Sequence, residues 1–416
     1  MASTVRSIAQ RFGPRFLAAL LPALLLAGCD TGTAPSLYTP DDPSKPDPVV
    51  TTVEPAGSAL AGVDIIRLTG QNFSAVAEEN FVYFGPNRGE LISATPTLIE
   101  VRSPATPGED IPIRVTVIGA ENFSAEVPYR LEAAFELFGN IGKVEEPKAM
   151  TTDAAGNVYL AMFAGGVSVG FKKITPAGVR SDFTATTFLW NSLTMDTASR
   201  LYGARNLRAI FRFAQGAAQE TFVALTPTTV RIAALSFDAT GYLWAGGQNT
   251  EIFRISADKT VARFPFDGNV TALKTFGGHL YAVAAVGGAY GVWRFPLDGA
   301  SNLGSGQLYF DISGALGAGV ASEAIAFAAD GTMYLGTDQN DPVVIVAPNA
   351  TSHAPLYTGV LTQPMVGATR IPPSPVFDLA WGADPFLYMI RSRPIGSLAG
   401  DAITMVRINT RKAGAR

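Results

Sequence analysis

The sequence predicts an all-β protein in two folded units, a small sandwich followed by a larger ring of repeated sheets. Three observations carry this reading. Gly (42) and Pro (28) together make up about a sixth of the 416 residues, beside 25 Phe and 12 Tyr, a mixture that suits short strands joined by tight turns. Apolar residues alternate with period two rather than 3.6. One multi-strand unit recurs six times after residue 133, the mark of a repeat architecture. With 47% apolar residues and a formal charge of −4 from 31 basic and 35 acidic side chains, the chain can bury cores and is not disordered throughout. The slight acidity also argues against a nucleic-acid partner, which would require a basic face.

Two counts remove whole chemistries. The chain has one cysteine, Cys29, and two histidines, His279 and His353, so it cannot form an intrachain disulfide, a Cys-rich zinc site or a three-His site. There is no H-E-x-x-H or G-x-x-x-x-G-K-[ST] motif, and no catalytic residue is assigned.

Residues 1–29 contain no acid; Arg6, Arg11 and Arg15 precede a short apolar run over 16–26, which ends Leu26-Ala27-Gly28-Cys29. The run is too short to span a bilayer, which takes roughly 20 residues, and has the form of a secretory signal. The last four residues resemble a bacterial lipobox. The resemblance implies a signal peptide over 1–28, cleavage between Gly28 and Cys29, and lipidation of Cys29 by a diacylglycerol plus an acyl chain such as palmitate. The protein would then be exported and anchored in the bacterial cell envelope, on the periplasmic side of the inner membrane or at the outer membrane. The segment 29–48 carries the lipidated Cys and five prolines. It reads as a semi-extended tether, reaching about 60 Å at ~3.1 Å per residue.

Between 49 and 132, alternating runs over 65–68, 81–84, 98–101 and 111–118 are separated by turn clusters. The segment holds 11 Asp and Glu against 5 Arg and no Lys. Seven short strands in about 85 residues suit an immunoglobulin-like sandwich. Glu54-Pro55-Ala56-Gly57, Leu68-Thr69-Gly70-Gln71-Asn72-Phe73, Val82-Tyr83-Phe84-Gly85 and the closing Val127-Pro128-Tyr129 closely resemble the IPT/TIG family. Gly70 is expected to take a positive φ, with Asn72-Phe73 turning the chain and plugging the core. DNA-contacting members of that family carry basic loops, whereas this segment is net negative, so the resemblance implies a spacer or protein-contact module.

From 133 to 410 the repeated unit is an apolar inner strand, a polar turn, a strand carrying an aromatic, and a strand centred on a basic residue. The aromatic marks are Tyr159, Tyr202, Trp244, Tyr281, Tyr334 and Tyr388, with steps of 43, 42, 37, 53 and 54. Such steps match the ~40–50 residues of a four-stranded propeller blade, so the region reads as a six-bladed β-propeller. The last copy lacks a fourth strand, leaving 411–416 as a basic tail. Residues 134–138 are expected to pair with 404–410 and close the ring. Pro147, Asp153 and Gly156-Asn157-Val158-Tyr159 resemble an NHL-type first blade, although most blades lack that family's acidic residue after the aromatic strand. The aromatic stripe and the third-strand bases read as packing between and outside blades.

By analogy with other propellers, a site would lie at one mouth of the central channel. Glu145, Glu146 and Lys148 would stand there in the first blade, Asn191 in the second, Arg231 or Thr271 in the next two, Glu323 in the fifth and Asp378 in the sixth. Turns would add Asn206, Gln248, Asn249, Asp338, Asn340 and Asp341. Glu145-Glu146-Pro147 and Asn191-Ser192-Leu193 resemble ligand positions of gluconolactonase-like hydrolases. The resemblance implies a Ca²⁺ or Mg²⁺ site using Glu145, Asn191 and Glu323.

The leading expectation is a monomeric, membrane-anchored lipoprotein whose propeller binds a protein or carbohydrate and needs no cofactor. The alternative is a divalent-metal-dependent hydrolase, for instance a lactonase.

Overall fold

A computed structural model describes residues 44–362, 365–366, 369–370, 374–391 and 404–415. Gly28, Cys29, the leader and most of the tether lie outside the described residues. The fold is all-β, a sandwich leading into six blades.

The sandwich has nine strands rather than seven, because the short pieces Ser58–Leu60 and Asn87–Arg88 also pair. One sheet orders Val49–Glu54, Ile65–Gln71, Leu98–Arg102 and Glu90–Thr95. The other orders Ser58–Leu60, Val127–Glu132, Gly108–Val117, Asn80–Phe84 and Asn87–Arg88. Strict alternation puts Ile66, Leu68, Val82, Phe84, Ile99, Val101, Ile113 and Val115 into one core. Gly70 lies in a regular strand, and the positive φ belongs to Asn72 (φ 63). Glycine is needed at 70 for closeness: a Cβ there would meet the Val49 carbonyl oxygen at 1.9 Å. Asn72 turns the chain and Phe73 fills the core.

The folded unit also takes in the end of the tether. Lys45 N donates to Gly119 O at 2.8 Å and its Nζ pairs with Glu79 at 2.7 Å. The Asp47 carboxylate accepts from Asn122 N and Nδ2, both at 2.9 Å. These groups find partners on the sandwich, so the order begins before residue 49.

The first blade comprises Glu145–Thr152, Val158–Ala164, Val167–Ile174 and Arg180–Thr184. The second comprises Ser192–Met195, Leu201–Ala204, Ala209–Phe213 and Glu220–Ala224. Blade three has Ala234–Phe237, Leu243–Gly246 and Gln248–Ile255, and blade four has His279–Val286, Ala289–Pro296 and Gln307–Phe310. One long strand, Val261–Phe276, is both the outer strand of blade three and the inner strand of blade four. Blade five is Ser322–Phe327, Met333–Thr337, Val343–Val346 and His353–Pro355. Blade six is Val376–Trp381, Phe386–Arg391 and Met405–Asn409, completed by Phe135–Leu137 from the start of the ring. Phe135 pairs with Ile408, Glu136 with Arg407 and Leu137 with Val406, as the missing strand required. Inner strands neighbour one another in order, and the sixth returns to the first.

Six apolar clusters fill the six seams between blades. All six marker aromatics are buried in them. In the first three blades the turn aspartate ties the aromatic down: Asp153 accepts from Tyr159 Oη at 3.0 Å, Asp196 from Tyr202 Oη at 3.3 Å, and Asp238 from Trp244 Nε1 at 2.9 Å. The third-strand bases reach outer strands, as in Arg212 with Glu220 at 2.7 Å and Arg407 with Glu136 at 2.6 Å.

The basic tail is docked. Arg411 holds Asp64 of the sandwich at 2.5 Å and Lys412 holds Asp330 of blade five at 2.8 Å. Ala415 N donates to Phe327 O at 2.9 Å. Two cations that would be solvated in a free tail find carboxylates here, and one of them joins the two domains.

Candidate functional site at the channel mouth

The inner strands share one pattern, small–apolar–small: Ala149-Met150-Thr151, Ser192-Leu193-Thr194, Ala234-Leu235-Ser236, Ala272-Leu273-Lys274, Ala324-Ile325-Ala326 and Asp378-Leu379-Ala380. The apolar position packs back on the preceding blade. The small positions face the following blade near the axis, where adjacent strands leave little room. Lys274 and Asp378 are the two exceptions, each a charged side chain where the other five blades are small.

Just ahead of this pattern, four inner strands carry a bulge. The ladder skips Lys148, Thr271, Glu323 and Phe377, all one residue before the first small position. A bulge re-aims the extra side chain. The result is a polar cluster at the end of the ring where inner strands begin. Lys148 Nζ stands 4.3 Å over the Phe377 ring and 2.7 Å from Glu146. Glu323 is open to the channel yet surrounded by protein, so desolvation raises its pKa. The positive charge of Lys148 opposes that rise and the negative charge of Asp338 adds to it. Tyr290 shares the site: desolvation raises its phenol, with Glu323 and Asp338 contributing. Asp338 also accepts from Ala321 N at 3.2 Å.

One layer deeper, the Asp378 carboxylate accepts from Met150 N and from Leu379 N, both at 2.9 Å. Burial pushes its pKa up to about 7 against these bonds and against the attraction of Lys274. Burial lowers the pKa of Lys274, and Asp378 opposes the shift. No ion pair within 4.0 Å joins the two among the described residues, so each charge sits incompletely compensated beside the axis.

The expected mouth residues therefore divide. Glu146 and Glu323 meet through Lys148, and Asp378 lies beneath them. Glu145 is held elsewhere: Arg180 donates to its carboxylate at 2.7 and 2.5 Å and Gly142 N at 2.8 Å. These bonds hold its pKa down at about 2, Arg180 foremost. Asn191 is exposed on blade two, tied through its backbone N to Ala204 O at 2.9 Å. Asp341 caps Gly359 N at 2.8 Å, ordinary turn chemistry. The set Glu145, Asn191 and Glu323 does not fit a divalent cation, because Arg180 occupies both oxygens of Glu145 and an ammonium, Lys148, stands beside Glu323. No cluster of three His, Cys, Asp or Glu suited to a metal occurs among the described residues. Lys274, Tyr290 and Phe377 were not expected at the site. Aligning the six inner strands would have exposed Lys274 as an exception; no local signal marks the other two.

Residues 48–131 match the IPT/TIG domain model. No curated protein matches the chain. Among solved structures, an auxiliary nutrient binding protein from Bacteroides thetaiotaomicron superposes with a TM-score of 0.51 at 10% identity, over 87% of this chain and 97% of its own. A second protein of that organism, provisionally named a phosphatase, gives 0.58 at 11% over the same shares of 87% and 97%. A gluconolactonase-like protein gives 0.50 at 13%, over 68% of this chain and 93% of its own. At such identities the likeness is one of fold. The chain carries an IPT/TIG domain over residues 48–131, ahead of a six-bladed β-propeller.

Proposed function

We propose that this is a lipid-anchored envelope protein whose propeller binds a ligand, a protein segment or a carbohydrate, at the channel mouth, with the IPT/TIG domain as spacer or contact module. The observation that carries the reading is the cluster of Glu146, Lys148, Tyr290, Glu323, Asp338 and Phe377, drawn from four blades. It combines both charges, a phenol and a ring face, the assortment by which binding sites fix orientation. The nutrient binding neighbour is consistent with a ligand-capturing role.

The test is a thermal-shift screen of peptides and oligosaccharides against the wild type, Glu323→Gln and Lys148→Met. A compound that raises the melting temperature of the wild type and loses that effect in both variants supports the mouth. Hits that stabilise all three equally refute it. The anchor is tested by fractionation: Cys29→Ser should move the protein from membranes to the soluble fraction, and its retention with membranes would refute lipidation.

A further inference from the structure

A cavity lies at the same end of the ring, between blades three and four. Its origin is visible in the repeat lengths. The step from Trp244 to Tyr281 is 37 residues, the shortest of the five. Elsewhere a loop crosses from each outer strand to the next inner strand, but here Val261–Phe276 runs through both blades without one. A cleft of about 480 Å³ opens at this seam, walled on one side by Pro227, Thr229 and Val230 of the preceding loop.

We propose that this cleft binds the hydroxyl groups of a neutral carbohydrate. Gln248 and Asn269 face each other across the ladder and both line the cleft. Thr229, Thr250 and Asp267 line it with them. Among the described residues, none of these five side chains makes a hydrogen bond within the protein. Each amide offers a donor and an acceptor, and each hydroxyl offers both, the pairing that vicinal sugar hydroxyls require. The neighbouring cations are already engaged: Arg263 with Glu251 at 2.7 Å, and Arg231 with the carbonyls of Thr228 at 3.1 Å and Val230 at 3.0 Å. An anionic ligand would meet the carboxylate of Asp267, which makes no ion pair among the described residues. A neutral polyol meets only uncommitted donors and acceptors.

This site is independent of the mouth cluster, none of whose residues lines it. The full chain is applied to an array of neutral glucans, xylans, mannans and galactans, and the hexasaccharide of the best-retained polymer is titrated by calorimetry. Gln248→Ala with Asn269→Ala should weaken its affinity about tenfold or more, from two lost hydrogen bonds. Thr250→Trp, which fills the cleft at an exposed strand position, should abolish binding and answers the question if the double variant folds poorly. Glu323→Gln should leave the affinity unchanged. Failure to retain any neutral glycan overturns the proposal, as does a glycan whose affinity ignores the cleft variants. A glycan lost in Glu323→Gln alone would overturn this site and leave the mouth reading standing.

Discussion

Replacing Asp378 with serine should remove a pH-dependent cost of several kcal/mol from the ring. Its carboxyl is pushed from an ordinary 3.8 to about 7 by burial, so the native protein holds the proton more tightly than the unfolded chain. Native binding of the extra proton stabilises the fold at low pH, and that contribution is lost as the pH rises from about 4 to about 7. Integrated over a shift of this size, about 2.5 kcal/mol disappears between pH 5 and pH 8. Serine is the natural replacement because blade two already uses it. Ser192 Oγ accepts from Leu235 N at 3.0 Å, the bond that Asp378 makes to Met150 N. The variant keeps an acceptor for that buried N–H and drops the titration. The assay is urea denaturation followed by Trp fluorescence at pH 5, 6, 7 and 8, for both proteins and for the same pair in a Lys274→Met background. The difference in unfolding free energy should move toward the serine variant by about 2–3 kcal/mol across that range, and further with Lys274 removed. A difference independent of pH would refute the claim that a desolvated carboxyl sits at position 378.

Three further outcomes follow from the same geometry. Arg180→Ala should cost about 1–3 kcal/mol at pH 7 by unpairing a half-buried carboxylate; because Glu145 is held near 2, the loss relative to wild type should shrink as the pH falls from about 4.5 toward 2, measured by denaturation in that range. Gly70→Ala should destabilise the sandwich by about 3 kcal/mol or more, since its Cβ would lie 1.9 Å from a carbonyl oxygen, and should lower its melting transition; an unchanged transition would contradict the packing. Glu136→Arg should weaken the ring closure by about 1 kcal/mol, and adding Arg407→Glu should restore it, with the chemical denaturation midpoint as readout.

Much of the architecture was legible because its signals are local. Period-two alternation and an aromatic recur in each copy, with a turn aspartate in the first three, so blade number and the borrowed closing strand could be read from spacing alone. The sandwich was legible through Asn72-Phe73 and the closing Tyr129, although the reason for glycine at 70 was not: a close approach between Gly70 and Val49 is a property of pairing, invisible in a turn pattern. The candidate site was only partly legible. Glu146, Glu323 and Asp378 were expected at the mouth and lie there or just beneath it. Glu145 was expected with them, but Arg180, on a strand 35 residues later, takes its carboxylate.

The sequence by itself determined an all-β chain, a small sandwich and six repeats, since strand, turn and repeat length are encoded within each unit of roughly 46 residues. Only the tertiary structure decided which side chains meet. Lys148, Tyr290, Glu323 and Phe377 share a mouth because bulges and ring closure bring together residues more than 200 positions apart. Burial beside the axis, rather than any neighbour in sequence, is what perturbs Asp378 and Lys274, because desolvation depends on everything packed around a charge.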